Sequence, residues 1–378
     1  MKSPICARFG IEFPLLAFTH CRDVVVAVSK AGGMGVFGAV SLPPDRLEEE
    51  LDWIDAHIGD KPYGVDLIVP NSFEGKGEKT DIEKLAAAIP QTHRDFVSGL
   101  LDKYGIDEAE IPTSNNGTFA RNLQEEGATA TMEVAFRHPI KLIVNALGVP
   151  PQSMRDLAAE HGVATGALVG AKEHAVAQIA AGVDVIIAAG GEAGGHCGDV
   201  PTMVLVPEIC RERDRMNSEA AVLAAGGITT GTQMAAAMSM GAAGAWCGSV
   251  WLTTAEAETN PVVKEKMLAA SSRDTVRSRA RTGKHSRQLR SPWTDAWESE
   301  AAPAPLPMPL QSLVSEPALS RIDKLSQGGH EGAKELATYW VGQGVGMMNE
   351  SLSAGAVVQQ FKEEFIEAYE RLADAMSD

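Results

Sequence analysis

The alternation of short apolar runs with helical segments is the feature of this 378-residue sequence that most constrains its fold. Eight runs have the length and composition of buried strands. They cover residues 14–18, 34–39, 63–69, 141–148, 163–169, 184–190, 220–228 and 244–252. Helical patterns between the runs indicate parallel strands joined by helical crossovers. Eight such units predict an α/β fold closed into a (β/α)8 TIM barrel, with an open doubly wound sheet as the alternative.

Two long segments interrupt this alternation. Residues 71–138 are polar, charged and mostly helical in pattern, with the loop IPTSNNGT among them, and are too long for a simple crossover. Residues 255–352 contain a basic stretch and a proline-rich run, AAPAPLPMPLQ, whereas residues 353–375 have the pattern of one amphipathic helix. We therefore expect a barrel made of residues 1–70, 139–254 and 353–378, a helical insertion at 71–138, and a smaller cap or substrate domain at 255–352.

Composition limits the partners of the chain. The net charge of −17 argues against nucleic acid or an anionic membrane as the main partner, since both attract positive charge. No apolar run approaches the roughly 20 residues of a spanning helix, and MKSPICARFGIEFP lacks the apolar core of a secretory signal. The five cysteines are scattered without metal-ligand spacing. We expect a cytoplasmic protein that binds a small molecule and holds no metal.

The loop after the sixth strand, AAGGEAGGHCGD (residues 188–199), has the composition of a ligand-binding loop. Its glycines allow the backbone to approach a ligand or to take positive φ. His196 has a side chain whose ordinary pKa is about 6.5, so it is the candidate acid/base residue, unless it only bonds a backbone carbonyl. Glu192 could orient His196, pair with an arginine or lie at the rim. Asp199 is predicted to cap the helix that follows.

Two further glycine-rich turns lie at or near the ends of the seventh and eighth strands. Barrels commonly bind phosphate at these two loops, so Gly226-Gly227 and Gly248-Ser249 indicate a phosphorylated cofactor, with ordinary tight turns as the alternative. His20, after the first strand, is a second candidate contact, unless it belongs to a surface loop. The basic residues 273–290 favour a solvated, salt-bridged strand pair over a site for the phosphates of a nucleotide or a coenzyme A thioester.

Several of these motifs together resemble a known family. GGEAGGHCGD after strand six, AAGGI at strand seven and CGS at strand eight are similar to the nitronate monooxygenase (2-nitropropane dioxygenase) family. SKAGGMGVFGA around strand two and GQGVG near the C-terminus fit the same pattern. The FMN-dependent enoyl-acyl-carrier-protein reductases share this plan, and the resemblance covers the barrel and the last segment.

The resemblance implies an FMN-binding barrel in which His196 takes the α-proton of a nitroalkane or serves a thioester reductase. His20 and Glu192, from the loops after strands one and six, remain the candidate substrate contacts. Asp66 stands where these proteins often carry Asn, and a carboxylate there would disfavour an anionic reduced flavin unless it is protonated or turned away. The implied flavin contacts are Ala17, Phe18, Thr19, Asp66, Gly194, Gly195, Gly226, Gly227, Gly248, Ser249 and Gln343.

The expected function is that of an FMN-dependent oxidoreductase of the nitronate monooxygenase type, which oxidises a nitronate or similar small carbon acid with oxygen as acceptor. The alternative is an NAD(P)H-dependent flavin reductase of an enoyl thioester or a quinone. A flavin-binding barrel without turnover is a further alternative, whereas a metal-dependent aldolase or isomerase lacks ligands. The expected partners are a small substrate, oxygen or NAD(P)H, and a second copy in a homodimer.

Overall fold

Eight parallel strands close into a barrel in the computed structural model, which describes residues 1–69, 82–107 and 125–377. The predicted (β/α)8 barrel is thereby confirmed, and the open sheet is excluded. A ninth, two-residue strand, β7, lies in the loop between β6 and β8. The strands are β1 Leu15–Thr19, β2 Met34–Gly38, β3 Tyr63–Leu67, β4 Leu142–Asn145, β5 Ala164–Val169, β6 Val185–Ala189, β7 Gly195–His196, β8 Ala221–Ala225 and β9 Gly244–Cys247.

Helices cover the barrel and form much of the chain outside it. They are α1 Pro4–Phe9, α2 Arg22–Lys30, α3 Pro44–Ile58, α4 Ile82–Ala87, α5 Gln91–Lys103, α6 Glu125–Phe136, α7 Gln152–His161, α8 Lys172–Ala180, α9 Thr202–Arg215, α10 Gly231–Ser239, α11 Pro261–Ala269, α12 Pro292–Trp297, α13 Leu310–Gln327, α14 Glu331–Leu336 and α15 Ala354–Ala375. Within these described ranges, no helix combines the length and apolar character needed to cross a membrane. The predicted loop IPTSNNGT (residues 111–118) lies outside the described residues.

The eighth barrel strand, β9, is shorter than the sequence pattern indicates. The prediction placed residues 244–252 in one strand, but β9 ends at Cys247 and a 3₁₀ helix, Ser249–Thr253, follows. The indole N–H of Trp251 donates to the carbonyl of Cys247 (2.7 Å), which stabilises the turn out of the barrel. An apolar run therefore spans two different elements here.

Side chains fill the barrel from its amino-terminal end. On β1, Leu16 and Phe18 point into the barrel, whereas Leu15 and Ala17 pack outward against the helices, as strand alternation requires. Helix α1 adds Ile5 to the inner cluster and closes the amino-terminal end of the barrel. The carboxyl ends of the strands therefore form the accessible mouth, where barrel enzymes hold their active sites.

The last helix, α15, packs directly on α10, and the predicted amphipathic helix over residues 353–375 is present. Ser353 caps it by accepting from the N–H of Ala356 (3.2 Å). The approach is close enough that a Cβ at Gly231 would lie 2.0 Å from the carbonyl oxygen of Phe361. Because a side chain would collide there, glycine is required at this helix contact. The N–H of Gly231 also donates to the Glu364 carboxylate (2.7 Å).

A three-stranded antiparallel sheet covers part of the mouth and is formed by β10 (Thr275–Ser278), β11 (Ser286–Leu289) and β7. The predicted strand pair in the basic stretch is present, and Arg273, Arg279, Lys284 and Arg290 are exposed as predicted, but the predicted solvation is wrong for Arg281. Arg281 is only 8% exposed, because its guanidinium pairs with Glu316 (2.8 Å) and stacks 4.1 Å from the ring of Trp340. The arginine acts as a packed part of the cap.

Candidate active site

The loop that carries His196 is held in place by the cap. Pairing of β7 with β11 sets His196 opposite Ser286 and Gly195 opposite Arg287. The Arg287 guanidinium donates from Nε (3.1 Å) and Nη2 (2.8 Å) to the carbonyl of Gly191. It also donates to Thr275 Oγ1 (3.2 Å), so one side chain joins the loop to both cap strands.

The imidazole of His196 is oriented by one hydrogen bond and one ring contact. Its Nε2 lies 2.7 Å from Thr282 Oγ1, and its centroid lies 6.3 Å from that of Trp340. Although solvent reaches the ring, crowding by neighbouring protein atoms lowers the pKa of His196, and the positive charges of Lys284 and Arg281 lower it further. His196 is therefore neutral at neutral pH and able to accept a proton.

Glu192 stabilises the start of α9. Its carboxylate accepts from the backbone N–H of Thr202 (2.9 Å to Oε2) and from the Thr202 hydroxyl (2.9 Å). Among the described residues, it bonds neither His196 nor an arginine. The prediction that Asp199 caps this helix is wrong: the N-cap is Pro201, which has no side-chain acceptor, and Glu192 supplies the negative charge from the preceding loop.

Glycines allow three segments of the chain to meet at the mouth. A Cβ at Gly194 would lie 2.7 Å from the amide nitrogen of Gly342, so the backbone of the C-terminal segment packs on the loop. The N–H of Gly342 donates to Ser249 Oγ (2.8 Å), and that of Gln343 donates to the carbonyl of Glu192 (2.9 Å). The predicted flavin contacts in the loop after β6, in the turn after β9 and in the GQ segment are thus neighbours.

The glycine turns after β8 and β9 present backbone donors. Gly226 and Gly227 have φ values of 102° and 69°, which favour glycine. In the described part of the chain, the N–H groups of Gly227, Gly248 and Ser249 donate no hydrogen bond. A Cβ at Gly248 would meet only Phe18, 3.6 Å from Cδ1. Unpaired N–H groups beside an open glycine cradle suit an anionic phosphate.

Aromatic side chains of β1 and β9 lie together in the barrel. Phe18 stacks on Trp246 with centroids 6.0 Å apart and meets the ring of His20 edge-on at 5.1 Å. The Nδ1 of His20 lies 2.7 Å from the carbonyl oxygen of Gly38, and removal from water lowers the pKa of His20. His20 therefore lies at the mouth as a neutral imidazole.

The other two predicted flavin contacts on β1, Ala17 and Thr19, are less accessible to a ligand than the sequence suggests. Ala17 is completely buried and its side chain faces the helices, so only its backbone could reach a ligand. The hydroxyl of Thr19 is buried and accepts from the N–H of Cys21 (3.1 Å). Of the three, Phe18 alone turns its side chain toward the mouth.

Asp66 is a buried carboxyl group near the carboxyl end of β3. It is 1% exposed, and Oδ1 has no hydrogen-bond partner among the described residues. Burial raises the pKa of Asp66 well above its ordinary value and so favours the neutral acid. Burial thus opposes the carboxylate form that would disfavour a reduced flavin.

Sequence patterns did not identify Thr282, Trp340 or Arg287 as parts of the site. Thr282 and His196 are 86 positions apart, and no local spacing connects them. The basic stretch around Arg287 was visible, but its charges suggested either a solvated surface or a phosphate contact. Its role as a brace became visible only through the pairing of β7 with β11.

Comparisons of the sequence with known proteins agree on one family. A family model described as nitronate monooxygenase matches residues 5–364. The Mycobacterium tuberculosis protein Rv1533, a candidate monooxygenase by its name, is 50% identical over 98% of both chains. A Staphylococcus saprophyticus protein named as a probable nitronate monooxygenase is 27% identical over 76% of this chain and 79% of its own.

Solved structures share the fold. FabK from Thermotoga maritima superposes with a TM-score of 0.72 at 26% identity and covers 100% of both chains. A nitroalkane oxidase from Streptomyces ansochromogenes superposes with a TM-score of 0.76 at 24% identity, covering 97% of this chain and 99% of the other. The second likeness supports the fold alone.

Proposed function

The chain belongs to the nitronate monooxygenase family and is an oxidoreductase, and from that premise we propose that it binds FMN at the mouth of the barrel. We further propose that it oxidises a nitronate or similar small carbon acid with oxygen. The observation that carries the proposal is that a neutral imidazole, His196, shares the mouth with unpaired backbone donors. Such donors suit a phosphate, and the imidazole suits proton abstraction.

The residues present fit FMN. Gly227, Gly248 and Ser249 would hold the phosphate, because their N–H groups have no partner in the described chain and a Cβ at Gly248 would meet only Phe18, 3.6 Å away. The segment at Gln343 and the ring of Phe18 would border the remainder of the cofactor. FMN, when bound, supplies the electron transfer between substrate and oxygen that no side chain of the site can perform.

His196 is the proposed base. The Nε2 atom is engaged by Thr282, so a proton from the substrate carbon would go to Nδ1. For this step Nε2 must carry a hydrogen that it donates to Thr282 Oγ1. Thr282 then keeps the ring oriented as the imidazolium forms, and Arg287 keeps the loop in place.

The pH dependence follows from the lowered pKa of His196. A base works when deprotonated, so kcat/KM should rise with pH and reach a plateau, with its inflection below the ordinary histidine value of about 6.5. Steady-state rates between pH 4.5 and 8.5 on a neutral nitroalkane, which still carries its α-proton, would measure this. Activity that falls as pH rises through this range would contradict a neutral base.

Thr282→Val should lower kcat/KM by about tenfold, because the imidazolium loses a hydrogen-bond acceptor. The inflection of the pH profile should also move to lower pH, since the protonated ring is stabilised less. Thr282→Ser retains the hydroxyl and is the matched control. A Val variant with both the rate and the pH profile of the wild type would remove Thr282 from the orienting role.

The cofactor proposal predicts a yellow protein that releases FMN, and no FAD, on denaturation. The support is one phosphate-sized pair of glycine turns, at Gly227 and Gly248, with no second dinucleotide fingerprint in the sequence. Chromatography of the released flavin measures this. Recovered FAD, or a colourless protein that ignores added FMN, would contradict the proposal.

A second candidate is NAD(P)H-dependent reduction of an enoyl thioester or a quinone. It is supported by the structural likeness to FabK and by the resemblance to the enoyl-acyl-carrier-protein reductases. For either function, we propose that residues 71–138 and 255–352 shape the substrate pocket as an insertion and a cap domain. We also propose a cytoplasmic homodimer as the working form.

A further inference from the structure

Asp66 is a titratable group for which the proposed chemistry has no use. Its side chain points into the barrel near the carboxyl end of β3, on the face opposite Val65 and Leu67, which pack outward. In the strand register, Asp66 lies beside Gly38 of β2 and Val144 of β4. Neither neighbour has a polar side chain, and within the described ranges Oδ1 of Asp66 has no hydrogen-bond partner.

The charges around Asp66 favour its neutral form. Burial is the cause of its raised pKa, and among the described residues no cation compensates a negative charge there. A titratable group, His20, follows β1 and lies against Gly38 of β2, where a Cβ would be 2.7 Å from its Nδ1. That imidazole is itself neutral, because removal from water lowers its pKa. An uncharged carboxylic acid carries one O–H donor, and a buried donor needs an acceptor.

We propose that Asp66 is a permanently protonated carboxylic acid that donates a hydrogen bond to an acceptor atom of the bound flavin. The inference rests on the proposed function, since it takes the ligand at the mouth to be FMN. Asp66 lies on β3, two strands from β1, which carries Phe18. It is near the same end of the barrel as the proposed phosphate donors. Its acid proton accounts for a polar group that the described protein leaves unpartnered.

The chemistry of the side chain indicates what this donor does. An ionised carboxylate can only accept hydrogen bonds, and it would repel a ring that gains electron density. A neutral acid donates, as does the amide of the asparagine that the resemblance places at this position. The protonated acid therefore serves as the counterpart of an amide donor and favours the reduced cofactor.

Asp66→Asn and Asp66→Leu separate the two protonation states. With a neutral donor, Asp66→Asn should bind FMN within about threefold of the wild type, because a donor is kept. Asp66→Leu has similar volume and no donor, and should bind FMN about tenfold more weakly with a lower flavin midpoint potential. With an ionised Asp66, the Asn variant should instead bind at least about tenfold more tightly, because a repelling charge is removed. That result would overturn the proposal.

Infrared spectroscopy of the apoprotein tests the protonation without flavin. The C=O stretch of a protonated carboxylic acid should be present at pH 8 in the wild type and in the exposed control Asp199→Asn, and absent in Asp66→Asn. If the band is present but FMN does not bind, the proposed function fails and the protonation stands. If FMN binds and the band is missing, the inference fails and the proposed function stands. Thermal unfolding of each variant verifies that it is folded. If the Leu variant does not fold, the FMN affinity of the Asn variant is sufficient to test the proposal.

Discussion

His196→Ala is expected to keep FMN and to lower kcat/KM by about 10²–10⁴-fold, the range that a positioned general base contributes. The imidazole is held by Thr282 and Trp340, whereas the proposed phosphate donors are backbone groups of other loops. Removing the ring should therefore leave the cofactor in place. Flavin content and steady-state rates on the same preparation measure the two effects separately.

Two variants control the His196 experiment. His196→Asn should retain part of the activity if the residue only donates a hydrogen bond to substrate. His57→Ala removes an exposed imidazole from the last turn of α3, more than 100 positions before the loop, and should change neither quantity. If His196→Ala turns over near the wild-type rate, the base lies elsewhere, and His20 at the same mouth becomes the candidate.

Gly248→Asp should weaken FMN binding by at least about 100-fold, because it puts a negative charge beside a phosphate dianion, where like charges about 4 Å apart repel by several kcal/mol at intermediate dielectric. The fold should survive, since the new Cβ meets only Phe18 at an ordinary contact distance of 3.6 Å. Titration of the apoprotein with FMN, with thermal unfolding as the check on folding, measures this effect.

Gly248→Ala is the matched control, because it adds the same Cβ without the charge and should bind FMN within a few-fold of the wild type. Gly227→Asp should also lose FMN, although its backbone φ of 69° and the 3.0 Å approach to Glu192 Cβ add strain. Wild-type FMN affinity in both aspartate variants would exclude phosphate from these turns.

The barrel could be predicted from the sequence because its strands are local patterns. Each apolar run is short, and each lies between helical segments whose periodicity is visible within about four turns. The ends of the strands are harder to predict, because an apolar run does not reveal whether it continues as a strand or turns into a 3₁₀ helix. The eighth barrel strand, β9, is the example. Helix α1 was missed, although Ser3 followed by Pro4, with Gly10 after the helix, is a start and stop signal.

The site could be predicted only in part. His196 and the glycine turns carry local signals, whereas the contact of His196 with Thr282 depends on a strand pairing between distant segments. Glu192 stabilises a helix start because Pro201, at the N-cap, cannot. The raised pKa of Asp66 depends on burial, which follows from packing and has no local sequence signal.

Anaerobic mixing of the yellow protein with a preformed nitronate, NADH or NADPH tests the central claim most directly. We expect the nitronate to bleach the flavin absorption and both nicotinamides to leave it unchanged, with the colour returning when oxygen is admitted. Bleaching by NADH or NADPH, with no response to the nitronate, would contradict a nitronate monooxygenase and favour the reductase.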